Sequence, residues 1–201
     1  MTNTVAKPGR QALKTRLTRE RIINAVVSLI TTGGYSAASS SRIAKRAGVT
    51  WGAVQHHFGS KDDILDAVIE LSHDRFTELM ATEVSDKGTL ADRVERFVDL
   101  MWQNYQSDVY LASLEILLAR RAGCSGTNAG VTKQQAESHI GTLRRIFPEL
   151  DLSDTQLIDI LGFIHILLTG LTIERAFEEP IKNEEKHMRR IKAAMLTMLS
   201  T

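Results

Sequence analysis

The chain has 201 residues, 43% of them hydrophobic and 24% charged, enough apolar material for a buried core in one or two domains. Three prolines, one cysteine and few β-branched runs bounded by turns argue against a sheet protein, and Cys124 alone excludes an intrachain disulfide framework and fits a reducing cytosol. The net charge of +1 hides a division: residues 1–61 hold ten basic residues against Glu20 alone, a net +9, leaving −8 on the remainder. A basic head on an acidic body predicts a polyanionic partner for the head only.

Residues 1–15, with Pro8 and Gly9 and no apolar period, read as a flexible basic arm without the apolar stretch of a signal peptide. From about Thr18 the spacing of Ile22, Val26, Leu29 and Ile30 predicts an amphipathic helix, which Gly33-Gly34 stops. Ser39-Ser40-Ser41 supply N-cap chemistry for a short helix with Ile43, Ala44 and Ala47 inward. Gly48 breaks it, and Thr50 caps a third helix running to about Phe58. Val54 and Phe58 face the core there, so Trp51, Gln55 and His56 point outward. After Gly59, the run Ser60-Lys61-Asp62-Asp63 opens a long helix with an acidic first turn.

Further helices are predicted over about 61–83, 89–106, 109–121, 132–147, 153–178 and 182–200, with a glycine-rich loop over 122–130. The apolar run from Leu157 to Ile173 is short for a bilayer crossing and contains Asp159 and His165, which favours a buried helix. The fold class expected is therefore all-α. A domain of three helices is expected over 16–60 and a larger helical domain over 61–201.

The chemistry sits in SSSRIAKRAGVTWGAVQHHFGSK, residues 39–61. Two short helices joined by Ala47-Gly48-Val49 make a helix-turn-helix, and a helix of that width fits the major groove. IAKRAGVT (43–50) followed by HHFGSKDDIL (56–65) resembles the DNA-binding signature of TetR/AcrR-type transcriptional regulators, with similarity from about 18 to 66. The resemblance implies that Ser39, Ser40 and Ser41 approach phosphates and sometimes a base. Trp51 and Gly52, next to the cap Thr50, fall where base edges are met, and His57 and Lys61 fall on phosphate positions. Where such regulators usually carry tyrosine this chain has Gln55, which either loses that phosphate contact or pairs with adenine. His56 and His57 point about 100° apart on a helix and so do not form a metal site.

In the body, Met101, Trp102, Tyr105 and Tyr110, with Phe163 and His165, are candidates for an effector pocket, with packed core as the alternative. The stripe Leu157, Leu161, Ile164, Leu168 and Leu171 is a candidate dimer interface, the role that the last two helices have in the family it resembles; burial within one chain is the alternative. No GxSxG, Walker loop, GxGxxG or HExxH occurs, and no base is identifiable for Cys124, so no enzyme, metal or cofactor is expected. The partners expected are a double-stranded DNA operator, a second copy of the chain and an unidentified small-molecule effector, in the cytoplasm at the nucleoid and without a membrane. A constitutive DNA-binding protein and a helical carrier or enzyme are the alternatives.

Overall fold

The computed structural model describes residues 9–83, 86–123, 133–175, 177–178 and 180–200. Among these, every regular element is helical: α1 (Arg10–Gly33), a 3₁₀ turn (Tyr35–Ala37), α2 (Ser40–Ala47), α3 (Trp51–Phe58), α4 (Lys61–Glu83), α5 (Leu90–Tyr105), α6 (Asp108–Gly123), α7 (Lys133–Ile146), α8 (Asp154–Arg175) and α9 (Glu184–Leu199). The chain divides into two compact units, Met1–Leu71 with Ala112–Ser125 and Ser72–Leu111 with Gly126–Thr201, so both α4 and α6 are shared between units. Cys124 and most of the glycine-rich stretch 122–130 lie outside the described residues.

In the N-terminal unit α1 packs against α2 and α3. Ile22, Val26 and Ile30 of α1 are fully buried with Ile43 of α2, Val54 of α3 and Ile64, Leu65 and Val68 of α4. Burial of each such aliphatic side chain stabilises the unit by about 1.5–3 kcal/mol. The breaks between helices are set locally. Gly33 is close to Ala37, where an added Cβ would meet the alanine Cβ at 2.9 Å. Gly48 takes φ 65°, ψ 38° and ends α2 in the left-handed region, where a side chain would be strained. Thr50 Oγ1 accepts from Ala53 N at 3.2 Å and caps α3. Ser60 and Asp63 satisfy each other's backbone amides, Ser60 N donating to Asp63 Oδ2 at 2.7 Å and Asp63 N donating to Ser60 Oγ at 3.2 Å. The Ser60 hydroxyl, donating to Asp63 Oδ2 at 2.6 Å, and then the Ser60 amide hold the Asp63 carboxyl below its usual range.

One boundary differs from the sequence expectation. Helix α1 begins at Arg10 rather than near Thr18, so residues 10–15 are helical and not an irregular arm. Gln11, Ala12, Leu13 and Lys14 are good helix formers, but Leu13 and Leu17 stay exposed, leaving no buried stripe to reveal the turn pattern.

The C-terminal unit brings α5, α7, α8 and α9 around one core. Phe97 and Met101 of α5, Leu143 and Ile146 of α7, Ile164 and Leu168 of α8 and Met195 of α9 are buried in it. Thr89 and Asp92 form a reciprocal capping box that starts α5. Arg93 is buried yet paired: its guanidinium donates to both Glu149 carboxylate oxygens and to Ile146 O. By length and composition α8 is apolar enough to cross a membrane, a test that a core helix also passes. Its row Leu157, Ile160, Ile164, Leu168 and Thr172 is packed inside this unit.

Candidate nucleic-acid interface and effector residues

The helix-turn-helix is formed by α2 and α3. Their apolar residues Ile43, Ala44, Ala47 and Val54 are buried, which fixes what is left outside. Ser41, Arg42 and Lys45 of α2 are exposed, as are Gly52, Gln55 and His56 of α3. Ser39, Ser40, Trp51 and His57 are half-buried beside them. Gln55 thus lies on the outward face of α3. Thr50 has a structural task as well, since its hydroxyl already accepts from Ala53 N. His56 and His57 meet edge to face with centroids 5.5 Å apart, and among the described residues no cluster of three metal-ligating side chains occurs.

Lys61 opens α4 with its ammonium 5.0 Å from the centre of the Tyr35 ring. An aromatic face holds a lysine head without neutralising it, leaving its charge available to a phosphate. Sequence reasoning missed two further cations. The Arg19 guanidinium of α1 lies 3.9 Å from the centre of the Phe58 ring and donates to the His57 carbonyl in the last turn of α3. Arg46 Nη2 donates to Ser28 Oγ at 2.6 Å, tying α2 to α1. These two arginines brace the helices from behind. The only signal for them in the sequence is their charge, which does not distinguish a brace from a phosphate contact.

The effector candidates separate. Met101, Trp102 and Tyr105 are buried, and Tyr110 is half-buried. Tyr105 and Tyr110 stack with centroids 4.2 Å apart. The Tyr105 hydroxyl shares a hydrogen bond with His165 Nδ1, and the Tyr110 hydroxyl shares one with Thr169 Oγ1 at 2.9 Å. Burial raises the Tyr105 phenol well above its ordinary value and lowers the His165 imidazole. Trp102 faces differently: its Nε1 donates to Glu184 Oε1 at 2.7 Å and ties α5 to α9. Phe163 does not join the set. It is 41% exposed, turned about 100° round α8 from Ile164 of the core row.

The proposed dimer stripe is likewise corrected. Leu157, Ile164 and Leu168 are buried in the core of their own unit, and Leu161 and Leu171 pack against that core. The free face of α8 carries Ile158, Phe163, Ile166 and Ile173 instead, with Ile166 68% exposed. Gly162 and Gly170 lie open between them, with nothing within 4 Å of an added Cβ. Sequence reasoning also missed His73 and Thr77 of α4 and His139 of α7. The His73 and His139 rings lie 5.1 Å apart, and Phe76 meets His139 edge to face at 5.4 Å.

Comparison with known proteins bears on the N-terminal unit most directly. Residues 22–68 match the family model described as bacterial regulatory proteins, tetR family. A fatty acid metabolism regulator protein of Bacillus subtilis is 29% identical over 102 residues, covering 51% of this chain and 53% of the relative. The regulator AcrR of Shigella flexneri is 40% identical over 62 residues, 31% of this chain and 29% of that one. The chain thus spans about half the length of the first of these relatives and under a third of the second. In fold the likeness extends further: the fatty acid degradation regulator FadR of Bacillus halodurans superposes with a TM-score of 0.64 at 18% identity, over 96% of this chain and 97% of that one. Residues 22–68 are thus similar to the DNA-binding domain of tetR-family regulators, and the all-helical body shares its fold with solved regulators of that kind.

Proposed function

We propose that the chain is a ligand-released repressor that binds a palindromic DNA operator as a homodimer, and not an enzyme. The observation that carries this reading is the outward face of α2 and α3. Ser41, Arg42, Lys45, Gly52, Gln55 and His56 are exposed on a head of net +9, while both helices are braced on α1 from behind. Gly52, without a side chain, lets α3 approach the groove floor, and Trp51 beside it offers apolar surface for a thymine methyl. Ser39, Ser40, Ser41, His57 and Lys61 approach phosphates, which position the head without reading sequence.

Two heads must be held about one DNA turn apart, roughly 34–36 Å, to read a palindrome. The free face of α8, with Ile158, Ile166 and Ile173 around Gly162 and Gly170, supports pairing of two copies there. An effector held by the C-terminal unit then shifts the population toward a head spacing that does not fit the operator. The protein works in the cytoplasm at the nucleoid.

The test is binding of the purified protein to DNA flanking its own coding region, against scrambled DNA, across a salt series. Selective binding that weakens steeply with salt is expected. Equal, weak binding to both DNAs would refute the regulator reading and move a helical carrier or enzyme to first place.

A further inference from the structure

Within the C-terminal unit a row of polar side chains runs from α4 to α8: His73 and Thr77, then His139, then His165 and Thr169, with the stacked Tyr105 and Tyr110 alongside. At the α8 end the polar atoms satisfy one another. At the α4 end they do not. Among the described residues, His139 Nε2 and Thr77 Oγ1 are both out of contact with solvent and have no hydrogen-bond partner. Thr77 lies one helical turn after His73 and next to Phe76, the two rings on which His139 packs. A buried polar atom without a partner is costly, and native chains rarely keep two on one patch unless something else completes them.

We propose that His139 and Thr77 are the polar anchor of the effector, and that the effector is an uncharged molecule with a hydroxyl or carbonyl on an apolar or aromatic body. The proposal rests on reading the C-terminal unit as the effector-binding part. The chemistry follows from the surroundings. Burial, then His73 and His165, push the His139 imidazole down to about 4, and among the described residues no carboxylate, lysine or arginine acts on it. A carboxylate or ammonium brought here would be buried without a countercharge. A neutral imidazole nitrogen and a threonine hydroxyl each accept or donate one hydrogen bond, which suits one hydroxyl or carbonyl. The rings of Phe76, His73 and His139 offer aromatic faces and edges to the rest of the molecule.

The experiment compares benzyl alcohol, toluene and benzoate as probes of the full-length protein. It follows the His139 ring C–H resonance by NMR and takes a dissociation constant for each. Benzyl alcohol is expected to bind roughly five- to twenty-five-fold more tightly than toluene, for one or two hydrogen bonds, and more tightly than benzoate. In the His139→Leu/Thr77→Val variant the preference for the alcohol over toluene should vanish while toluene binding persists. Benzoate binding as tightly as the alcohol, a preference that survives in the variant, or no displacement of the His139 resonance by any probe would overturn the proposal. Operator binding measured on the same samples separates the two readings. Loss of DNA selectivity with the alcohol preference intact would sink the regulator and leave the anchor standing; the reverse would sink the anchor alone.

Discussion

Protonation of His139 is the most quantitative handle on the C-terminal unit. The ring has an ordinary value of 6.5 in an unfolded chain and about 4 in the folded one. Well above pH 6.5 neither state carries the proton, so folding gains nothing and loses nothing from it. Between pH 6.5 and 4 the unfolded chain binds a proton that the folded chain refuses, and stability falls as pH falls. Integrated from pH 7 to 4.5 the shift amounts to about 2.4 kcal/mol. The ring is only half-buried, and solvent screening reduces this to about 1 kcal/mol. For a chain of this size that is about 2–4 °C in unfolding temperature. Calorimetry of the wild type and of His139→Leu at the two pH values isolates the effect, because His165 and the carboxylates titrate in both proteins. The variant should lose about 2–4 °C less than the wild type on acidification. At pH 7 it should be at least as stable, since leucine removes the unpaired Nε2 atom. Equal losses in the two proteins would refute the reasoning.

Three further predictions address the DNA head and the dimer. Lys61→Ala should weaken binding to every DNA sequence and lower the salt slope by about one unit; an unchanged slope would take Lys61 away from phosphate. Arg19→Gln should leave the salt slope alone but reduce selectivity for operator over scrambled DNA by about three- to tenfold, because it loosens α3 rather than freeing a phosphate. A slope lower by one would instead make Arg19 a direct contact. Ile166→Glu should give folded monomers by sedimentation, whereas Leu168→Glu, which buries a charge in the core, should unfold the C-terminal unit; an intact Ile166→Glu dimer would move the interface elsewhere.

The head was legible because its instructions are local. Gly48 in the left-handed region, the Thr50 cap and the Ser60–Asp63 exchange each lie within a turn of the break that they make, so the residue types announce them. The braces were not legible. Arg19 meets Phe58 and the His57 carbonyl only because α1 and α3 cross, and sequence spacing says nothing about crossings. The same holds for the polar row, whose His73 and His139 come from separate helices far apart in the sequence.

Helix α8 failed for a different reason, and the failure is informative. A helix packed on one side shows a stripe at a period of 3.6 residues, and the stripe names its buried face. Residues 157–173 are apolar nearly all round, so no stripe stands out and the choice of Leu157, Leu161, Ile164, Leu168 and Leu171 could only pick the densest row. Packing assigned three of that row to the chain's own core and left Ile158, Ile166 and Ile173 outside. A soluble helix needs apolar residues on its outer side only if something else covers them. Loss of the helical period in α8 is what two separate burials would leave, one within the chain and one, on the dimer proposed above, against a second copy, and the glycines Gly162 and Gly170 fall on the side that such a copy would meet.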